Sequence, residues 1–228
     1  MFLRIMTALV IPGVMIGSHT LFLGLVVASS SAQTGVAVQR VQIPDGLYQF
    51  IPAPDGYVPN GILPKWSLSP SYDARVRNLE CPLSPSESAA MSRQDVEAEP
   101  PGFVVINRYR ESPQIQRTYE HDVSKRLEPQ PGMKVVYART SIDSDRDQVK
   151  KLNIGYSDDI SAFLNGKILY RGRSAQNYRD PDFLGIVNLD NDMLYIPLNK
   201  GRNELVLAVG EIGGGWGFIC RLEDYWEN

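Results

Sequence analysis

Three groups of side chains in this sequence have the types and spacing to do chemistry. Asp143, Asp145 and Asp147 alternate in the run IDSDRDQ, and on a loop three such carboxylates offer the hard oxygen donors that a calcium ion takes. The match covers only the front of an EF-hand, because Gln148 stands where that loop needs glycine and Ile154 where it needs its closing acid. Two readings remain, a structural calcium site of another kind and a solvated acidic turn with Arg146 as counter-charge. The second group is the stretch GRSAQNYRDPDFL, Gly172 to Leu184. Asn177, Tyr178, Arg179 and Asp180 place donors, acceptors and one aromatic face within a short reach, as a small-ligand site requires. The same stretch also reads as a solvated connector in which Arg179 pairs with Asp180 or Asp182. The third is Trp216, which follows three glycines. Its ring offers a flat face for the C–H surface of a sugar, or it packs in the core with its indole N–H on a backbone carbonyl. Tyr156 and Trp226 are further candidate faces.

Catalytic constellations are poorly represented. Of the two histidines, His19 lies in the apolar N-terminal stretch, which leaves His121 as the one imidazole for any Ser-His-Asp arrangement, and no serine sits in a GxSxG context. A glycosidase needs two carboxylates across a cleft. Asp158, Asp159, Glu204 and Glu211 can be nominated, but adjacent Asp158 and Asp159 also fit a turn before a strand. The two cysteines, Cys81 and Cys220, lack the CxxC or nearby histidine of a zinc site. In an oxidising compartment they can form a disulfide between the entry segment and the last strand; the other reading is a free Cys81 and a buried, hydrophobe-like Cys220.

These residues must be positioned by short strands. The chain has 228 residues, enough for one sizeable domain with extensions. A formal charge of -3 from 23 basic and 26 acidic side chains gives no broad footprint for nucleic acid. Residues 1–32 read as a signal peptide: Arg4, an apolar stretch from Ile5 to Val27, then Ser30-Ser31-Ala32 before the expected cut. The expected address is secreted or periplasmic, with no stable membrane insertion after cleavage; the alternative is an uncleaved N-terminal membrane anchor. Residues 33–65, punctuated by IPDG, APDG and VPNG, form an extended Pro/Gly-rich segment, and Ser84 to Pro101 reads as a loop. Strands are expected at Phe103 to Tyr109, Lys134 to Ser141, Leu152 to Tyr156, Asp159 to Leu164, Lys167 to Arg171, Met193 to Leu198, Asn203 to Val209 and Gly217 to Leu222. Asn165-Gly166 is a strong hairpin signal, since a type I′ turn needs positive φ at both central residues. No segment has the length and period of a major helix, so the expected fold is an all-β sandwich over 66–224 with a tail at 225–228.

The residues FLNGK (Phe163 to Lys167), IPLNKGRNEL (Ile196 to Leu205) and GGWGF (Gly214 to Phe218) together resemble the galactose-binding-domain-like jelly roll, the superfamily of many carbohydrate-binding modules and of sugar-binding domains attached to glycoside hydrolases. The resemblance is densest after Lys134. It implies a jelly-roll β-sandwich that binds sugars, other small ligands or protein partners, in which a structural calcium is frequent; its motifs carry no catalytic group. The functional expectation is an exported, non-catalytic carbohydrate-binding module contacting its ligand through Asn177, Tyr178, Arg179, Asp180 and Trp216. A protein-interaction or envelope-structural domain is the alternative, and a glycoside hydrolase the third reading.

Overall fold

Asn165 and Gly166 take φ values of 50° and 77°, the left-handed pair that a type I′ turn demands. They join two strands, β7 (Asp159–Leu164) and β8 (Lys167–Arg173), in the expected hairpin. The computed structural model describes residues 50–225 apart from 52, 54, 78, 91–93, 116–127 and 181. The expected signal peptide, the first part of the extended segment, His121 and Trp226 lie outside the described residues.

The remaining strands are β1 (Lys65–Leu68), β2 (Tyr72–Asp73), β3 (Gln94–Glu97), β4 (Phe103–Val105), β5 (Lys134–Ser144), β6 (Gln148–Ser157), β9 (Asp192–Leu198), β10 (Gly201–Glu211) and β11 (Gly217–Asp224). They build two antiparallel sheets. One is seven-stranded, in the order β3-β1-β5-β10-β7-β8 with β2 also paired to β5; the other is four-stranded, β4-β11-β6-β9. The architecture is the expected all-β sandwich. Ser84 to Pro101 is a correction, because it holds a short helix, α1 (Pro85–Ala90), as well as β3. Ser84 Oγ accepts from the Glu87 amide at 3.2 Å while Glu87 Oε2 accepts from the Ser84 amide at 2.8 Å. That reciprocal capping box, with proline in the first turn, was readable in the SPSE tetrapeptide.

Alternation along the strands decides which face is which. Leu152, Ile154 and Tyr156 of β6, Leu194, Ile196 and Leu198 of β9, Phe218 and Cys220 of β11, and Leu205, Leu207 and Val209 of β10 all belong to the core between the sheets. Each large apolar side chain buried there contributes about 1.5–3 kcal/mol. The opposite faces are covered only in part. Leu79, Met133, Tyr137 and Phe163 pack over one end of the seven-stranded sheet. On the four-stranded sheet, Phe50, Phe103, Val105, Val187 and Ile219 form the corresponding cover. Phe50 and Ile62, in the described part of the extended segment, thus lie against the domain, and Ile62 bridges Arg221 along β11.

Asn203 explains one of the motifs that carry the resemblance. Fully buried, it donates to the carbonyls of Asn199 and Gly201 at 2.7 and 3.2 Å, and its carbonyl accepts from the Asn199 amide and from Asn165 Nδ2 at 3.0 and 2.9 Å. One amide side chain therefore organises both the NKG turn and the neighbouring Asn-Gly turn. Its role is structural.

Candidate functional site

The open half of the four-stranded sheet presents an aromatic surface. Because Leu194, Ile196 and Leu198 point inward, Met193, Tyr195 and Pro197 point outward. Met193 is 49% exposed and Tyr195 53%. Tyr225, just past the end of β11 and 41% exposed, meets Tyr195 edge to face with ring centroids 4.9 Å apart. Beside the two rings lies a depression of about 750 Å3 lined by Asn60, Gly61, Lys151, Leu222, Glu223 and Asp224 together with both tyrosines.

Register places the polar groups. Lys151 of β6 pairs with Tyr195 on one side and with Glu223 of β11 on the other; Asn153 likewise lies between Met193 and Arg221. Glu223 is held from three directions, by Asn153 Nδ2 at 2.8 Å, Lys151 Nζ at 3.1 Å and Arg221 Nη2 at 2.8 Å. The Asn153 hydrogen bond, outweighing the cost of burial and helped by Lys151 and Arg221, holds the Glu223 carboxyl below its ordinary range. The site thus combines flat apolar faces with a fixed anion and two cations, able to pack against a C–H surface and exchange hydrogen bonds with hydroxyl groups. Its upper end is closed off at Gly155, where a Cβ would lie 2.1 Å from the Asn188 carbonyl oxygen.

In the loop Gly172 to Leu184 the expected contact residues are engaged by groups of the protein itself. Arg179 donates to the Asn191 carbonyl at 2.7 Å, to the Tyr156 hydroxyl at 3.2 Å and to the Asp192 carboxylate. Tyr156 also donates to Asp192 at 2.7 Å. Burial, then hydrogen bonds to Tyr170 and Asp192, push the Tyr156 hydroxyl far above its usual range. Arg179 therefore clamps the end strands β8 and β9 across the seam between the sheets, pairing with neither Asp180 nor Asp182. Tyr178 lies under the Arg173 guanidinium, 5.4 Å from its ring centroid. Asn177 is at φ 60° with its amide on the Phe183 carbonyl, and the Asp180 carboxylate accepts from the Asp182 amide at 2.9 Å. Asn177, Arg179 and Asp180 are exposed and Tyr178 is half-buried on this connector.

Trp216 is a second correction. It is 0% exposed, and its indole donates to the Val209 carbonyl at 3.1 Å. No ligand face remains. The acidic triplet is spread over its hairpin: Asp145 accepts from Gln148 at 3.1 Å, Asp147 caps the Lys200 amide at 2.6 Å, and Asp143 sits on β5 across from Arg202. Among the described residues, no group of three or more His, Cys, Asp or Glu side chains is placed to hold a metal. Of the two readings of the cysteines the structure has the second, with both free, Cys81 exposed and Cys220 buried. Cys220 lies between the sheets, whereas the Cys81 carbonyl meets the Tyr137 hydroxyl on the far face of the seven-stranded sheet. The sheet stands between the two thiols.

The nominated carboxylates do not face one another across a cleft. Asp158, Asp159 and Glu211 are fully buried, with Asp159 in a two-pronged ion pair with Arg173, and Glu204 pairs with Arg139 on the seven-stranded sheet. That sheet has its own open region, a trough of about 530 Å3 lined by Lys65, Ser67, Asp95, Glu97, Arg139 and Arg202 among others. Its side chains bond mainly to one another: Ser67 to Asp95, Arg139 to Glu204, and Arg202 to Ser141 at 2.8 and 2.9 Å.

The fold and this surface define a β-sandwich with an exposed aromatic face. No family model matches the chain, and no curated protein matches it. Among solved structures, it is similar to a β-glucosidase from Kluyveromyces marxianus in complex with glucose (11% identity, TM-score 0.43), over 71% of this chain and 17% of that one. It is also similar to a CBM35 module from Paenibacillus barcinonensis (11% identity, TM-score 0.30, 54% of this chain and 89% of that one). A third is the Epithelial Adhesin 9 A domain from Candida glabrata in complex with Galb1-4GlcNAc, at 11% identity and TM-score 0.34 over 76% of this chain and 89% of that one. The functional reading rests on this chain's own side chains.

Tyr195 and Tyr225 escaped the sequence reading. DMLYIPL is apolar in both phases of its alternation, the one available signal that a strand either is covered on both sides or exposes a patch.

Proposed function

We propose that this protein is an exported, non-catalytic carbohydrate-binding module whose binding surface is the open outer face of the four-stranded sheet. One observation carries the reading: two exposed tyrosine rings in edge-to-face contact beside the Lys151–Glu223–Arg221 group, over an open depression. Large aromatic faces left in water next to preorganised polar groups suit a ligand that is apolar on its faces and polar around its rim, which describes a pyranose. The architecture implied by the sequence resemblance supports it, and the signal-like N-terminal segment supports export. Among the described residues no helix is long and apolar enough to cross a membrane.

The test is a glycan array and a panel of insoluble polysaccharides probed with the purified protein and with Tyr195→Ala. Saturable binding lost in a variant of unchanged melting temperature is the expected result. A protein partner is the competing reading, favoured by the apolar margin that Met193, Pro197 and Val149 add to the rings. Absence of binding to every glycan would support it and overturn the carbohydrate reading.

A further inference from the structure

We propose that this surface takes an interior stretch of a linear polysaccharide, laid along β9, and not a single terminal sugar; the inference rests on the carbohydrate reading above. Met193, Tyr195 and Pro197 occupy alternate positions of one edge strand, all on the outward side and all exposed. Successive outward residues on a strand lie about 7 Å apart, so the stripe runs about 13 Å from the first Cα to the last. That length exceeds one pyranose ring.

The rows across the sheet repeat as well. The ladder aligns Met193 with Asn153 and Arg221, and the next row Tyr195 with Lys151 and Glu223. Each row sets an apolar or aromatic side chain on the edge strand beside hydrogen-bonding groups on the two strands behind it. The third row, Pro197 with Val149, is apolar. The first two rows are joined chemically, since Asn153 and Arg221 of one row and Lys151 of the other all contact Glu223. A ligand built from repeating units, each with an apolar face and a polar rim, matches a surface built from repeating rows of the same kind. A monosaccharide would cover one row and leave Met193 or Tyr195 in water.

The test is calorimetric titration with the mono-, di-, tetra- and hexasaccharides of cellulose, xylan, mannan and β-1,3-glucan, using the purified protein and Met193→Ala. Affinity for the bound series should rise about tenfold or more from the disaccharide to the tetrasaccharide. Met193→Ala should lower the affinity for the tetrasaccharide by a clearly larger factor than the affinity for the monosaccharide, which covers a single row. A monosaccharide that binds as tightly as the hexasaccharide would overturn the inference and leave the carbohydrate reading standing. So would a Met193→Ala loss equal for all lengths. Failure of every oligosaccharide and of the parent polymers to bind would overturn both.

Discussion

Among the described residues each sheet leaves part of its outer face open, and the two open regions differ in their aromatic content. On the seven-stranded sheet the opening is lined by charges, most of them bonded within it: Asp95 by Ser67, Arg139 by Glu204, Arg202 by Ser141. On the four-stranded sheet the opening also holds bonded charges, Lys151 with Glu223, but it is lined as well by Tyr195 and Tyr225, rings standing in water, with the exposed Met193 on the same strand as Tyr195. An exposed ion pair contributes about 0–1 kcal/mol and is an ordinary way to finish a surface. A contiguous exposed aromatic and aliphatic group is not, because its burial would be favourable. Polarity alone therefore does not separate the two regions; unburied apolar area with fixed polar neighbours does, and the proposed binding face rests on that difference.

The contrast can be sharpened by aromatic substitution on the two sides of the same small sheet. Trp216→Ala, on the inward side, should cost about 3–5 kcal/mol of stability through the cavity left behind, read as a large drop in denaturation midpoint. Tyr195→Ala, on the outward side, should cost less than about 1 kcal/mol yet reduce glycan affinity about tenfold or more. A Tyr195→Ala protein that is strongly destabilised would mean the ring is a structural element and would erase the difference between the faces.

Proton linkage offers a finer cut. Glu223 has a lowered folded-state pKa, so its contribution is present above the unfolded value of about 4.3 and is lost as pH falls through the lower folded value. Glycan binding should be flat from neutral pH through the ordinary glutamate value of about 4.3 and weaken only at lower pH, and Glu223→Gln should abolish that acid limb. Arg202→Ala, on the charged face, should leave binding unchanged and stability within about 0.5 kcal/mol. The smallest expected effect is calcium: melting temperatures in excess calcium and in EDTA should coincide, and a rise with calcium would restore a cation site to the acidic hairpin.

How far the sequence reaches can be judged from individual residues. Asn165-Gly166 dictated its hairpin because backbone sterics leave that dipeptide few alternatives. The strands after Lys134 were legible from alternation, although β5 and β10 run several residues further at one or both ends, where ladder bonds extend past the apolar signal. Trp216 was ambiguous, since a tryptophan after three glycines fits either a rim or a core until the packing over Val209 is known. The partner of Arg179 could not be read locally, because Asp192 becomes its neighbour only when the two sheets close on each other. Tyr195 and Tyr225 likewise meet across the intervening strand β6, and Trp226, considered as a candidate face, falls outside the described residues.

Affinity electrophoresis through gels containing each soluble polysaccharide, run in parallel with the unsubstituted protein, Tyr195→Ala and Arg202→Ala, tests the aromatic face most directly. Retardation of the unsubstituted protein and of Arg202→Ala, with Tyr195→Ala migrating as if no polysaccharide were present, is the predicted pattern. Retardation of Tyr195→Ala equal to that of the unsubstituted protein, or its loss in Arg202→Ala instead, would contradict the assignment of binding to the four-stranded sheet.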